Sequence, residues 1–251
     1  MPEQAILRNR RYNPLEKVAD AGIVSSFSLR TDGNMSLCYG DTKDSMSSRK
    51  NFLSALGIDY RDLICAKQSH ESNIIYVREA DKGRGALSYE SSITDTDGLI
   101  TDRKNLPLAI FSADCPSIFL YDYKTKAIGL IHAGWRSTRE HIAGKAVKLM
   151  QREFNTNPEG LYAGFGPAIR KCCYEVSSDF SAPSDSGMVK RDNRYYFDLI
   201  GANKKELLDS GIKEDNIFDP EICTSCLRQE FFSLRREGKP CGRLISVMML
   251  K

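Results

Sequence analysis

Ser112-Ala113-Asp114-Cys115-Pro116-Ser117-Ile118-Phe119-Leu120-Tyr121, followed after a polar turn by Ala127-Ile128-Gly129-Leu130-Ile131-His132-Ala133-Gly134-Trp135-Arg136, is the stretch on which the fold turns. Both apolar runs are short, rich in strand-forming residues and joined by Asp122-Tyr123-Lys124-Thr125. That pattern predicts an antiparallel hairpin of 116–121 with 127–132. A turn centred between Tyr123 and Lys124 sets Cys115 opposite His132 on one face, with Cβ atoms about 5 Å apart. A one-residue slip would send the two side chains to opposite faces.

Working outward, strand-like and helix-like runs alternate. Strands are expected over 22–29, 63–67, 74–77, 106–112 and 243–250. Helices are expected over 45–56, with Asp44 as N-cap and Gly57 as stop, and over 198–210, ended by Gly211. A third, over 140–154, lines up Ala143, Val147, Met150 and Phe154 on one face. Ser137 and Glu140 have the spacing of a capping box before it. Helices mixed with antiparallel hairpins argue for α+β layers rather than a doubly wound nucleotide fold. No repeat or long linker divides the 251 residues, so one domain is expected. Residues 1–21 read as a loosely ordered N-terminal arm, and 81–96 and 181–193 as surface loops.

Composition narrows the function classes. With 41% hydrophobic and 27% charged residues, the chain is ordinary for a globular protein and long enough to bury a core without metal or disulfide staples. The net charge of +3 is dispersed. Its small basic clusters, Arg8-Asn9-Arg10-Arg11 and Arg235-Arg236-Glu237-Gly238-Lys239, read as solvated surface, too sparse for a nucleic-acid footprint. No run is long and apolar enough to span a membrane, and no signal peptide is read at the start. Cytoplasm is the expected address, and the eight cysteines are expected as thiols or metal ligands.

Only three histidines occur. His70 and His132 close strand candidates, and Cys115 precedes one. Two imidazoles and one thiolate suit a single zinc with a coordination position left for water. Such an ion lowers the pKa of that water to about 7. The alternative from the same residues is a metal-free hydrolase with Cys115 as nucleophile and His132 as base. Past His132, a helix N-terminus beside Arg136 offers an anion site. Cys223-Thr224-Ser225-Cys226 has no second CxxC and is expected to pack as small apolar residues. Gly164-Phe165-Gly166-Pro167 is expected to be a tight turn.

Several motifs, in order, resemble the bacterial laccase-domain family, also described as purine nucleoside phosphorylase-like and formerly as multicopper polyphenol oxidases. They are Phe27-Ser28-Leu29-Arg30, Lys67-Gln68-Ser69-His70, Asp97-Gly98-Leu99-Ile100-Thr101, Ala113-Asp114-Cys115-Pro116 and His132-Ala133-Gly134-Trp135-Arg136. Gly166-Pro167-Ala168-Ile169, Cys173-Tyr174-Glu175-Val176, Phe231-Phe232-Ser233 and Gly242-Arg243 continue the series. The resemblance implies an α-β-β-α sandwich and one zinc held by His70, Cys115 and His132. It also implies phosphorolysis of adenosine, inosine or methylthioadenosine, and deamination of adenosine, with nucleoside and phosphate as the small-molecule partners. Arg30, Asn34, Gln68 and Arg136 are the expected substrate contacts, and Asp114 and Glu175 stand by position as general-acid candidates. Cys38, Glu71 and Ser137 depart from the family pattern without removing a ligand. The older oxidase activity is disfavoured, because three histidines cannot furnish several copper centres, although a single copper could take the same donors.

Overall fold

The structure, a computed structural model, describes residues 12–18, 22–180, 187–239 and 241–251. In chain order it runs β1 (Ile23–Phe27), α1 (Thr42–Ser54), β2 (Ile64–Cys65), β3 (Ile74–Tyr76), β4 (Gly98–Thr101), β5 (Leu108–Ser112), β6 (Ser117–Asp122) and β7 (Ala127–His132). Then come α2 (Trp135–Arg139), α3 (Ile142–Phe154), β8 (Leu161–Phe165), β9 (Glu175–Val176), β10 (Met188–Arg191) and β11 (Arg194–Phe197). The series closes with α4 (Leu199–Asp209), β12 (Ile217–Phe218), α5 (Leu234–Glu237) and β13 (Leu244–Leu250).

Two sheets carry the molecule. One has the order β1-β13-β5-β2, the other β12-β8-β6-β7-β4-β3, and most neighbours are antiparallel. Strand alternation decides what lies between them. On β7, Ile128 and Leu130 join Phe119 and Tyr121 of β6, Leu108 and Ile110 of β5, and Met248 and Leu250 of β13 in one buried cluster. The opposite side of the larger sheet, with Ile118, Leu120 and Ile131, receives Ala143, Val147 and Met150 of α3 and Leu207 of α4. The outer side of the smaller sheet, with Val24, Ile245 and Val247, receives Phe52 and Leu53 of α1. The layers therefore run α-β-β-α, as the resemblance implies.

The hairpin forms, but in a different register from that expected. Ser117, not Cys115, is opposite His132, because the four-residue turn lies one position further along, at 123–126, and ends on Lys126 at φ 54°. The shift is by two residues, so parity is kept and Cys115 stays on the His132 face. Other differences are local. α1 starts earlier, on Asp41, whose carboxylate accepts from the Lys43 and Asp44 amides. The helix expected over 140–154 forms as α3 but starts two residues later, after His141, which sits at φ 62° and separates it from the short α2. No capping box forms, since Ser137 donates to the Gly134 carbonyl and Glu140 instead accepts from Ser72. Gly164 and Phe165 belong to β8, not to a turn. Gly164 has no room for a side chain, because a Cβ would stand 2.3 Å from the Pro14 carbonyl oxygen. Of the expected N-terminal arm, residues 1–11 and 19–21, with the Arg8–Arg11 cluster, lie outside the described residues. Between them, Leu15 is fully buried and the Tyr12 hydroxyl donates to the Phe165 carbonyl.

Candidate metal centre and its cavity

Three chain segments meet at one edge of the sandwich. β7 delivers His132 on the inter-sheet face at its last position. The segment between β5 and β6 delivers Cys115. The loop after β2 delivers His70, itself at φ 63°. Their ligand atoms all lie within 4.8 Å of one another. The two imidazoles stand edge to face, with centroids 4.8 Å apart. Backbone clearance at this point depends on Gly134. A Cβ there would stand 3.1 Å from His70 Cδ2, 3.4 Å from His132 Cε1 and 3.5 Å from Cys115 Sγ.

Asp97, fully buried just before β4, organises the donors. Its carboxylate is 2.7 Å from His132 Nδ1 and accepts from the amides of Ser69, His70 and Glu71 and from the Ser69 hydroxyl. One side chain thus fixes the His70 loop and leaves His132 Nε2 as the ring nitrogen for Cys115 or a metal ion. A carboxylate behind a histidine in this way orients and strengthens a metal ligand. The electrostatics agree. Burial would push the Cys115 thiol up, but the His132 charge and hydrogen bonds from His132 and His70 outweigh it and hold the thiol below its ordinary value. Burial likewise opposes a charged His132, and Cys115 together with Asp97 overcomes that and raises it. The donor set, its spacing and its carboxylate support fit one divalent metal ion.

On the other side of Cys115, Asp114 takes φ 93°, unusual for a non-glycine residue. It is held there by Thr224 Oγ1, Ser233 Oγ and the Arg235 amide, all donating to its carboxylate. With every described partner in the scaffold, Asp114 acts as an anchor rather than as an acid facing the cavity. Glu175 is turned to Arg194 at the surface. Arg236, expected in a solvated cluster, instead donates to the carbonyls of Thr224, Ser225 and Phe231 and staples the same loop.

A cavity of about 340 Å³ opens onto the three donors. Tyr39, Tyr89 and Phe111 contribute aromatic surface, and Gln68, Arg49, Arg243 and Lys239 polar groups. Of the expected substrate contacts, Gln68 lines it, its amide clamped to both backbone groups of Phe111. Asn34 lies behind the wall and organises it, meeting the carbonyl of Tyr39, the hydroxyl of Ser45 and the amide of Arg243. Arg30 is outside the cavity lining, paired with Glu237 and lying over Phe232. Arg136 is exposed over Trp135 and also outside it. Arg49 carries no expectation from sequence. It is buried, donates to the carbonyls of Met35, Gly85 and Ala86, and brings a cationic charge to the cavity wall.

An α-β-β-α sandwich with a His/His/Cys donor set at one edge defines the class of protein. The chain belongs to the family described as multi-copper polyphenol oxidoreductase laccase, which it matches over residues 21–251. It is 34% identical over 223 residues to the purine nucleoside phosphorylase YlmD of Geobacillus stearothermophilus, covering 85% of this chain and 81% of that one. It is 28% identical to the adenosine deaminase RL5 of an unknown prokaryotic organism, covering 79% of each. Among solved structures, the hypothetical protein YfiH of Bacillus licheniformis superposes with a TM-score of 0.87 at 31% identity, covering 94% of this chain and 95% of that one. Among the described residues, no helix is long and apolar enough to cross a membrane.

Proposed function

We propose that the protein is a zinc-dependent purine nucleoside enzyme, which phosphorolyses adenosine, inosine or methylthioadenosine and deaminates adenosine. The observation that carries this reading is the convergence of His70, Cys115 and His132 at the wall of a cavity with both aromatic and cationic lining. The names of the relatives, purine nucleoside phosphorylase and adenosine deaminase, support the substrate class. Zinc held by the three donors would supply Lewis acidity at the cavity wall.

The chain's own groups divide the remaining work. Tyr39, Tyr89 and Phe111 offer flat apolar surface for a purine. Arg49, held by three carbonyls and lying over the Phe111 ring, with Arg243 and Lys239 brings positive charge to the cavity that would attract phosphate. Asp97 holds the tautomer and orientation of His132. Copper takes nitrogen and sulfur donors too, but two site histidines suit one ion, not the several centres the family description names.

The test is turnover of adenosine with and without phosphate, before and after chelation, and again after zinc is restored. Adenine should appear only with phosphate and inosine without it, both lost on chelation and regained with zinc. Undiminished rates in metal-free protein would end the proposal. A second reading has an observation of its own, since Cys115, His132 and Asp97 form a connected thiol–imidazole–carboxylate series. A metal-free cysteine hydrolase would be inactivated by iodoacetamide as purified and would contain no stoichiometric metal.

A further inference from the structure

We propose that Cys172, Cys173, Cys223 and Cys226 form a second, closed metal site that takes one zinc ion through four thiolates. From sequence, Cys223 and Cys226 are expected to pack as apolar residues, for want of a partner pair. The fold supplies one from the turn that follows Arg170. All four sulfur atoms lie within 4.8 Å of one another. Cys226 Sγ is 3.6 Å from that of Cys172 and 3.4 Å from that of Cys173. Zinc–sulfur bonds of about 2.3 Å in a tetrahedron place the sulfurs about 3.8 Å apart, so small adjustments close the site. A disulfide would require Cys226 to face one partner. It faces two, which is the arrangement a tetrahedral ion needs.

The surrounding backbone is already that of a bracket. Cys223 bridges to Ala168, and the Thr224 amide donates to the Ala168 carbonyl. Arg170 pairs with Asp219 and donates to the Ile222 carbonyl, tying the two turns together from the other side. Four thiolates leave no position for water, so the ion is structural, and its binding releases the thiol protons. Thr224, between the two cysteines of the second turn, is a donor to Asp114, the neighbour of Cys115. The second ion would therefore brace the loop that anchors the first centre without entering its cavity.

The test is elemental analysis of protein purified under reduction without chelators. Two zinc ions per chain are expected, one remaining in Cys115→Ala and one lost in Cys226→Ser. Cys226→Ser can fail to fold, so cobalt is added to fully reduced, metal-free Cys115→Ala protein, which keeps all four thiols. Thiolate-to-cobalt charge transfer with intense tetrahedral bands is expected. Weak octahedral bands, or no cobalt or zinc retained by that protein, would overturn the proposal. So would a Cys226→Ser protein with undiminished metal content.

Discussion

Asp97 is the residue on which the candidate metal centre most depends, since it meets both His132 and the His70 loop. Asp97→Asn should weaken zinc affinity by roughly 10–100-fold, read by competition with a chromophoric chelator. An unaltered affinity would show that the carboxylate only shapes the loop. Cys115 offers a pH test. Its thiol is held below the ordinary value of 9.0 by the neighbouring imidazoles, so its thiolate persists to lower pH. In chelated protein, the iodoacetamide rate at this residue, followed by mass spectrometry, should therefore rise with pH at lower values than for an unperturbed thiol. Added zinc should suppress the reaction. At this scale, the sequence showed the three donors because histidine is scarce and cysteine sits beside a strand. It could not show the role of Asp97, whose partners come from two distant segments, nor that Arg30 pairs with Glu237, which follows it by 207 positions.

At the scale of elements, the hairpin of β6 and β7 was legible because each strand is a continuous apolar run. Its register was not, because the position of the turn depends on Lys126 adopting positive φ. The error of two left the face of Cys115 intact, which is why the site survived it. The separation of α2 from α3 stayed hidden because residues 136–141 are all polar and carry no apolar period, and only the backbone shows His141 at φ 62°. The short strands β9 to β12 carry too few residues for alternation to register. The start of α2 gives a clean prediction. Gly134 has negative φ, so Gly134→Ala is compatible with its backbone. Loss of an N-cap glycine to alanine should cost about 1 kcal/mol. The added Cβ would press on His70, 3.1 Å from its Cδ2, and come into contact with His132 and Cys115. Metal affinity and activity should fall far more than thermal stability, compared by chelator competition and a melting curve.

Over the whole molecule, mixed helices and hairpins pointed to α+β layers and the family resemblance implied their α-β-β-α order, but neither showed the tertiary bracket around Asp114. Thr224, Ser233 and Arg235 reach it across at least 110 positions of sequence. Asp114→Ala leaves these donors without their acceptor and should destabilise the protein by about 2 kcal/mol or more, measured by urea unfolding. The same variant should loosen Cys115 and lower metal affinity. Leu130→Ala, by contrast, opens a cavity between the sheets at a cost of about 2–5 kcal/mol, and its folded fraction should keep normal metal affinity.

Strand β13 lies between β1 and β5 in the smaller sheet, with Met248 opposite Ser25 on one side and Leu108 on the other. Its Ser246 hydroxyl also donates across the sandwich to Ser117, the partner of His132. During synthesis, β1 and β5 leave the ribosome long before the strand that must separate them. A nascent polypeptide at that stage has two apolar edges with nothing between them, which makes it a natural client for a holding chaperone.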